Sequence, residues 1–297
     1  MDRGLAMHTR NQFRRAVPYI LPAFIIMLVF TYYPLGDAIV QSFNRNRHPS
    51  DYEFSLATYR WLLNDREFQT AFRNTMIYTA VVTPASVLIS MMIAGVLVNI
   101  RRFRALFQTI FFVPYVTSAV AVAFTWAYLF NTHNGLVNLI RMNLFGLPRV
   151  AWLTDPSIVN NTVIVFGIWR GLAFNILILT TAMLSIDPQY YRAALVDGSE
   201  GRTTFFRITV PLISPVIAYL LTIGLINSFR VFNEVYALVG ERSRSLRANT
   251  LVIYIFDQVW VARDFSLAAA ASVVFLIVIL ALTAFSRWVA AKTSYYG

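Results

Sequence analysis

Six stretches of this chain are so long and so apolar, although three of them carry charge, that water cannot be their solvent, and they limit the fold more than any motif does. They run Pro18–Leu35, Thr75–Asn99, Leu106–Phe130, Val159–Leu184, Leu212–Leu238 and Leu267–Val289. Crossing ~30 Å of hydrocarbon takes about 20 apolar residues, in a helix that pairs its own backbone groups where no water can. With 58% hydrophobic and 13% charged residues over 297 positions, no single soluble core absorbs these runs. The expected fold class is an all-α membrane protein with six transmembrane helices.

The net charge of +11 comes mostly from arginine. In a soluble chain that balance suggests nucleic acid; here the charges fall in short connections between apolar runs, so they read as topology signals and contacts to anionic lipid, with no nucleic-acid partner. Arg3, Arg10, Arg14 and Arg15 precede the first run, which ends without a small-residue cleavage pattern, so it is expected to be an uncleaved span. Lysine and arginine totals on the two sides come out nearly equal. Arg101, Arg102 and Arg104 after the second run are the densest cue and put the N-terminus inside. Six spans then return the C-terminal tail, with Arg287 and Lys292, to the cytoplasm. The organisation expected is a basic cytoplasmic tail over 1–17, a transmembrane domain over 18–290 and a short cytoplasmic tail over 291–297. The outer connections, Gly36–Asn74, Asn131–Ile158 and Val239–Ser266, are too short for a domain of ordinary size. Pro22, Pro34, Pro84 and Pro114 interrupt spans, which neighbouring helices make tolerable.

One polar segment, 187–215, separates the fourth and fifth runs. Asp187 followed by Pro188 is a helix start: the carboxylate caps free amides, and proline's missing donor costs nothing there. Tyr191, Ala194 and Leu195 make a narrow apolar face, and Gly198 stops the helix after about two turns. Beyond it Phe205, Ile208 and Leu212 form a second face, with Pro211 and Pro215 at the entry to the next span. A helix of two turns is not stable alone in water. It either packs against a partner or lies on lipid headgroups, and the physics leaves both open.

The residues "YRAALVDGSEGRTTFFRITVPLISP" resemble the signature loop of the carbohydrate-uptake permeases of ATP-binding-cassette importers. The match falls at Tyr191, Ala193, Ala194, Asp197, Gly198, Phe205, Ile208, Thr209, Pro211, Leu212 and Pro215 without a gap; Arg192 stands where the family has Glu, and Arg202 where Trp is common. "YPLGDAIVQSF", "FFVPYVTSAVAVAFTWAYLFN", "NGLVN", "AWLTDP" and "SFRVFNEVYAL" extend the likeness along most of the chain, although the family's Gly-Gly-Pro after the fifth helix is replaced by "LVGERS". The resemblance implies a cytoplasmic coupling helix between the fourth and fifth spans, docking through Tyr191, Arg192, Ala193, Ala194, Asp197, Gly198 and Phe205 into an ATPase. It further implies a second homologous permease, two ATPase subunits, an extracytoplasmic solute-binding protein, a carbohydrate substrate and a bacterial or archaeal cytoplasmic membrane. ATP and magnesium belong on the partner ATPase, with no cofactor in this chain.

A sugar path across lipid needs hydrogen-bonding groups and aromatic faces on several helices. Asn227, Arg230 and Glu234 fall at i, i+3 and i+7 of the fifth run, on one polar stripe, and Arg230 and Glu234 are spaced to pair with each other. Tyr115 and Ser118 follow Pro114 and offer a ring and a hydroxyl. Gly167 and Gly171 have the spacing that lets helices approach closely; for Gly171 and Phe174 the resemblance implies contact with sugar. The candidate path is therefore Tyr115, Ser118, Gly171, Phe174, Asn227 and Arg230. No phosphate-binding loop of the G-x-x-x-x-G-K-[ST] kind is present, and His8, His48 and His133 are scattered without metal-ligand spacing. The function expected is a permease subunit, not an enzyme, working by alternating access. The alternatives are a secondary transporter or channel, or the same kind of importer for a non-sugar solute.

Overall fold

The computed structural model describes residues 17–100, 102–199 and 201–293. Arg3, Arg10, Arg14, Arg15, Arg101 and the last four residues of the C-terminal tail lie outside that set. Thirteen helices carry the argument: α1 (Val17–Gln41), α2 (Ala57–Asn64), α3 (Arg66–Asn99), α4 (Arg104–Val116), α5 (Ala119–Leu129), α6 (Leu136–Phe145), α7 (Val159–Leu184), α8 (Pro188–Val196), α9 (Arg202–Leu212), α10 (Ser214–Phe229), α11 (Asn233–Val239), α12 (Leu251–Trp260) and α13 (Phe265–Thr293). Among the described residues there is no strand, only an isolated bridge between Asn44 and Phe54. Four helices, α1, α3, α7 and α13, are each long and apolar enough to cross a membrane, or up to six spans if two bent pairs each count as one.

Those bent pairs occupy the expected third and fifth spans. Between α4 and α5 the chain turns by 98° at Thr117 and Ser118, both extended, just after Pro114. Between α9 and α10 it turns by 68° at Ile213, flanked by Pro211 and Pro215. The fifth run breaks a second time past Phe229, where Phe232 leaves helical geometry (φ −137°, ψ −64°) before α11 begins. Proline removes a donor and crowds the preceding turn, which accounts for the break ahead of Pro215, whereas Pro114 lies inside α4, three residues before the first break. Pro34 and Pro211 follow wide turns: Tyr33 N–H reaches Leu28 O before Pro34, and Val210 N–H reaches Phe205 O before Pro211. Each π turn absorbs one residue of register where a helical bond is about to be lost.

The chain divides into two units. The first holds residues 17–63 together with 257–274. Residues 17–37 of α1 are exposed throughout, an apolar surface made for lipid or for another helix. After α1 the buried Asn44 organises the turn: its amide donates to His48 O, and its Oδ1 accepts from Asn46 N–H and Glu53 N–H. Thr58 Oγ1 donates to Asn44 O, Ser266 Oγ to Asn46 O, and Phe265 N–H to Arg47 O.

The second unit holds the described residues of 64–256 and 275–293. Asp65 starts α3 by accepting Glu67 N–H on one carboxylate oxygen and the Tyr254 hydroxyl on the other. The main packing is of α3 against α7, with α10 and α4 added to that pair and α11 resting on α5. One apolar cluster gathers Tyr78, Val82, Phe166, Val235 and Ile253; a second gathers Val87, Met91, Leu179, Met183 and Leu220. Asn138 pins the loop after α6. It donates to Thr132 O and Val150 O and accepts from Val150 N–H and Trp152 Nε1–H, so every hydrogen-bonding position of the buried amide is filled.

Candidate functional site

Between the two apolar clusters of the second unit lies a cavity of about 450 Å³, walled by α3, α4, α7, α10 and the start of α11. It exists because the helices around it touch through glycine. A Cβ on Gly167 would run into the Tyr78 hydroxyl; one on Gly171 would sit 3.0 Å from Ser86 Cβ, and one on Gly224 2.8 Å from Thr83 Cγ2. Small residues on α7 and α10 thus let α3 bring its hydroxyl face close.

The polar groups of the wall fall into two sets. The first is internally satisfied: Asn175 Nδ2 donates to Ser86 Oγ at 3.3 Å, Ser86 Oγ to Thr83 O at 3.0 Å, and Thr83 Oγ1 to Ser228 Oγ at 3.0 Å. The second faces the open space. Tyr115, stacked on Phe174 with ring centroids 5.3 Å apart and planes 24° from parallel, supplies an aromatic surface. The Asn227 amide and the Arg230 guanidinium have no hydrogen-bond or ion-pair partner among the described residues.

Of the residues expected on the path, Tyr115, Gly171, Phe174, Asn227 and Arg230 line this cavity. Ser118 does not; it occupies the break between α4 and α5. The alternative that Arg230 and Glu234 satisfy each other is not realised. That spacing requires one continuous helix, but the chain leaves helical geometry between them, and Glu234 Oε1 instead meets Arg170 Nε at 3.4 Å. Arg170 Nη1 is buried with no acceptor. Tyr78, Thr83 and Ser86 of α3 and Asn175 of α7 were absent from the expectation. A stripe of hydroxyls at helical spacing, Thr75, Thr79, Thr83, Ser86 and Ser90, was the available signal.

A second place assembles the segment 187–215. Asp187 Oδ1 accepts Gln189 N–H at 2.8 Å, with Pro188 in the first turn of α8. At the other end Gly198 takes φ +71°, its N–H bonds Leu195 O, and Ser199 N–H bonds Ala194 O at 2.8 Å. This is the paired closure that a left-handed glycine makes possible. Ala194 is buried, and the Tyr191 hydroxyl lies 3.1 Å from Thr209 Oγ1. Phe205 packs on Gly95, where a Cβ would come within 2.8 Å of the ring. The expected face of Tyr191, Ala194 and Leu195 is only partly inward: Leu195 is 59% exposed and Val196 89%. Arg192, Ala193, Asp197 and Gly198 are exposed as well.

Residues 86–295 match the profile of the family described as binding-protein-dependent transport system inner membrane component. The chain is a member of that family. The permease is 32% identical over 269 residues to a probable ABC transporter permease protein of Mycoplasma genitalium, covering 86% of this chain and 79% of that one. It is 31% identical over 290 residues to the arabinooligosaccharides transport system permease protein AraP of Halalkalibacterium halodurans, covering 93% and 91%. In structure it is similar to a chain of a bacterial ABC transporter involved in the import of the acidic polysaccharide alginate, with a TM-score of 0.83 and 25% identity, covering 99% of this chain and 100% of that one. The permease is accordingly a multi-pass protein of the cytoplasmic membrane.

Proposed function

We propose that the permease lines the translocation path of an ATP-driven, binding-protein-dependent importer of a sugar or sugar derivative. It works with a second homologous permease, two ATPase subunits and an extracytoplasmic solute-binding protein. The observation that carries this reading is the cavity, whose lining combines a stacked aromatic pair with an amide and a guanidinium that have no partner among the described residues. Sugars are bound by that combination of ring face and hydrogen-bonding edge. The relatives named for arabinooligosaccharides and for alginate point to the same solute class. Tyr115, Gly171, Phe174, Asn227 and Arg230 are the path residues.

In this reading each bent pair is one span, giving six, with both termini in the cytoplasm. The helix α8 is the coupling helix on the cytoplasmic face. Its outward Leu195 and Val196, with Arg192 and Ala193, are what an ATPase groove covers, while Ala194, Tyr191 and Phe205 tie it to the permease. Asp197 and Gly198 shape the turn that presents it. ATP and magnesium sit on the ATPases; their closure displaces α8, and α7 and α10, joined through it, carry the motion to the cavity.

The test is reconstitution in liposomes with the ATPase and the second permease, screening which sugar-loaded binding protein stimulates ATP hydrolysis. Stimulation by at least one saccharide is expected. Absence of stimulation by any saccharide removes the carbohydrate assignment, and solute flux without the ATPase removes the importer.

A further inference from the structure

The charges facing the cavity do not balance. Its lining carries Arg170, Arg230 and one carboxylate, Glu234. Glu234 is engaged by Arg170 at 3.4 Å from Nε, and Arg170 Nη1 is buried without an acceptor among the described residues. Arg230 follows the last turn of α10, is exposed, and has no carboxylate against it among the described residues. Arg230 therefore brings to the cavity wall a positive charge that no carboxylate among the described residues offsets. An exposed guanidinium in that position is open to water or to an anion. Asn227 precedes Arg230 by three residues, so an amide and a guanidinium lie on the same side of the end of α10.

We propose that the permease's solute is an anionic sugar, whose carboxylate or phosphate group is taken by Arg230 while its ring lies against the Tyr115–Phe174 face. The inference rests on the sugar-importer reading and narrows its substrate class. Guanidinium is suited to this task because its planar fork matches either oxyanion with two parallel bonds. The under-engaged Arg170 adds a second positive edge behind Glu234, which keeps the field at the anion end positive even though one carboxylate is present. A neutral sugar gains nothing from that field.

The experiment uses the complete reconstituted importer and measures uptake of three radiolabelled series: neutral saccharides, the corresponding uronic acids and the corresponding sugar phosphates. An anionic series is expected to be carried in preference to its neutral counterpart, and which of the two is carried separates carboxylate from phosphate. Arg230→Gln is expected to lower uptake of the carried anion about tenfold or more at subsaturating concentration, and Arg230→Lys by less. Preferential uptake of neutral saccharides overturns the proposal, as does unchanged anion uptake in the Arg230→Gln importer. The wild-type comparison stands even if that variant fails to assemble. Uptake of no saccharide from any series defeats the sugar reading itself and is distinguished by silence in all three.

Discussion

Around the cavity, side chains are packed so closely that glycine is required at three helix contacts, whereas α8 is bound to the rest of the chain by little more than Ala194 and the Tyr191 hydroxyl. In the first region the hydroxyls are already bonded to one another, and the open groups are few and polar. The second turns apolar side chains outward on a helix too short to hold itself. The difference separates two kinds of incompleteness. One is answered by hydrogen bonds and charge, the other by buried area.

Substitutions can break that separation. The largest effect is expected for Gly198→Pro, because φ is +71° and the residue's N–H bonds Leu195 O. Capture of the ATPase in a pull-down should be abolished while membrane insertion persists; normal capture would remove α8 from the docking surface. Next, Gly167→Ala forces a methyl group into the Tyr78 hydroxyl and should cost about 1–3 kcal/mol, read as a lowered thermal midpoint in detergent with ATPase capture retained. A smaller shift is expected from Val196→Glu: the side chain is 89% exposed, so the midpoint should hold while ATPase affinity falls about tenfold. If Gly167→Ala weakened capture as strongly as Val196→Glu, the two regions would not be separable.

The smallest effect lies outside both. Asp155 accepts the Ser157 hydroxyl and then its N–H, which hold its carboxyl below the usual carboxylate range. A depressed value contributes stability above the unfolded carboxylate pKa, lost as the pH falls through the folded one. Asp155→Asn should flatten the acid limb of the thermal midpoint slightly below about pH 4 and leave transport and capture alone.

Much of this architecture is legible in the residues, and the failures have physical causes. The fourth run was expected at Val159–Leu184 and forms a helix with those bounds, because no proline interrupts it and its apolar composition ends abruptly at Ser185. The Asp187 cap, the two-turn helix and the left-handed Gly198 follow from side-chain and backbone chemistry local to the segment. Hydropathy, however, is blind to a bend: Thr117 and Ser118 are as tolerable in a span as in a hinge, and Val231–Phe232 are apolar on both sides of a break that no glycine or proline announces. For that reason a pairing of Arg230 with Glu234 stood as an alternative, and Arg170, one span away in sequence, was not foreseen as Glu234's partner. The hydroxyls of α3 were overlooked because a threonine or serine in a span usually bonds its own helix, as Thr75 does to Ala71 O.

The glycine seams also have a mechanical meaning. Where Gly167, Gly171 and Gly224 press backbone against Tyr78, Ser86 and Thr83, no flexible side chain lies between the helices to act as a bearing. The core segments of α3, α7 and α10 therefore interlock. The bends at Thr117–Ser118, at Ile213 and beyond Arg230 fall outside those seams, so the guanidinium stands beside a break in the chain as well as on the wall.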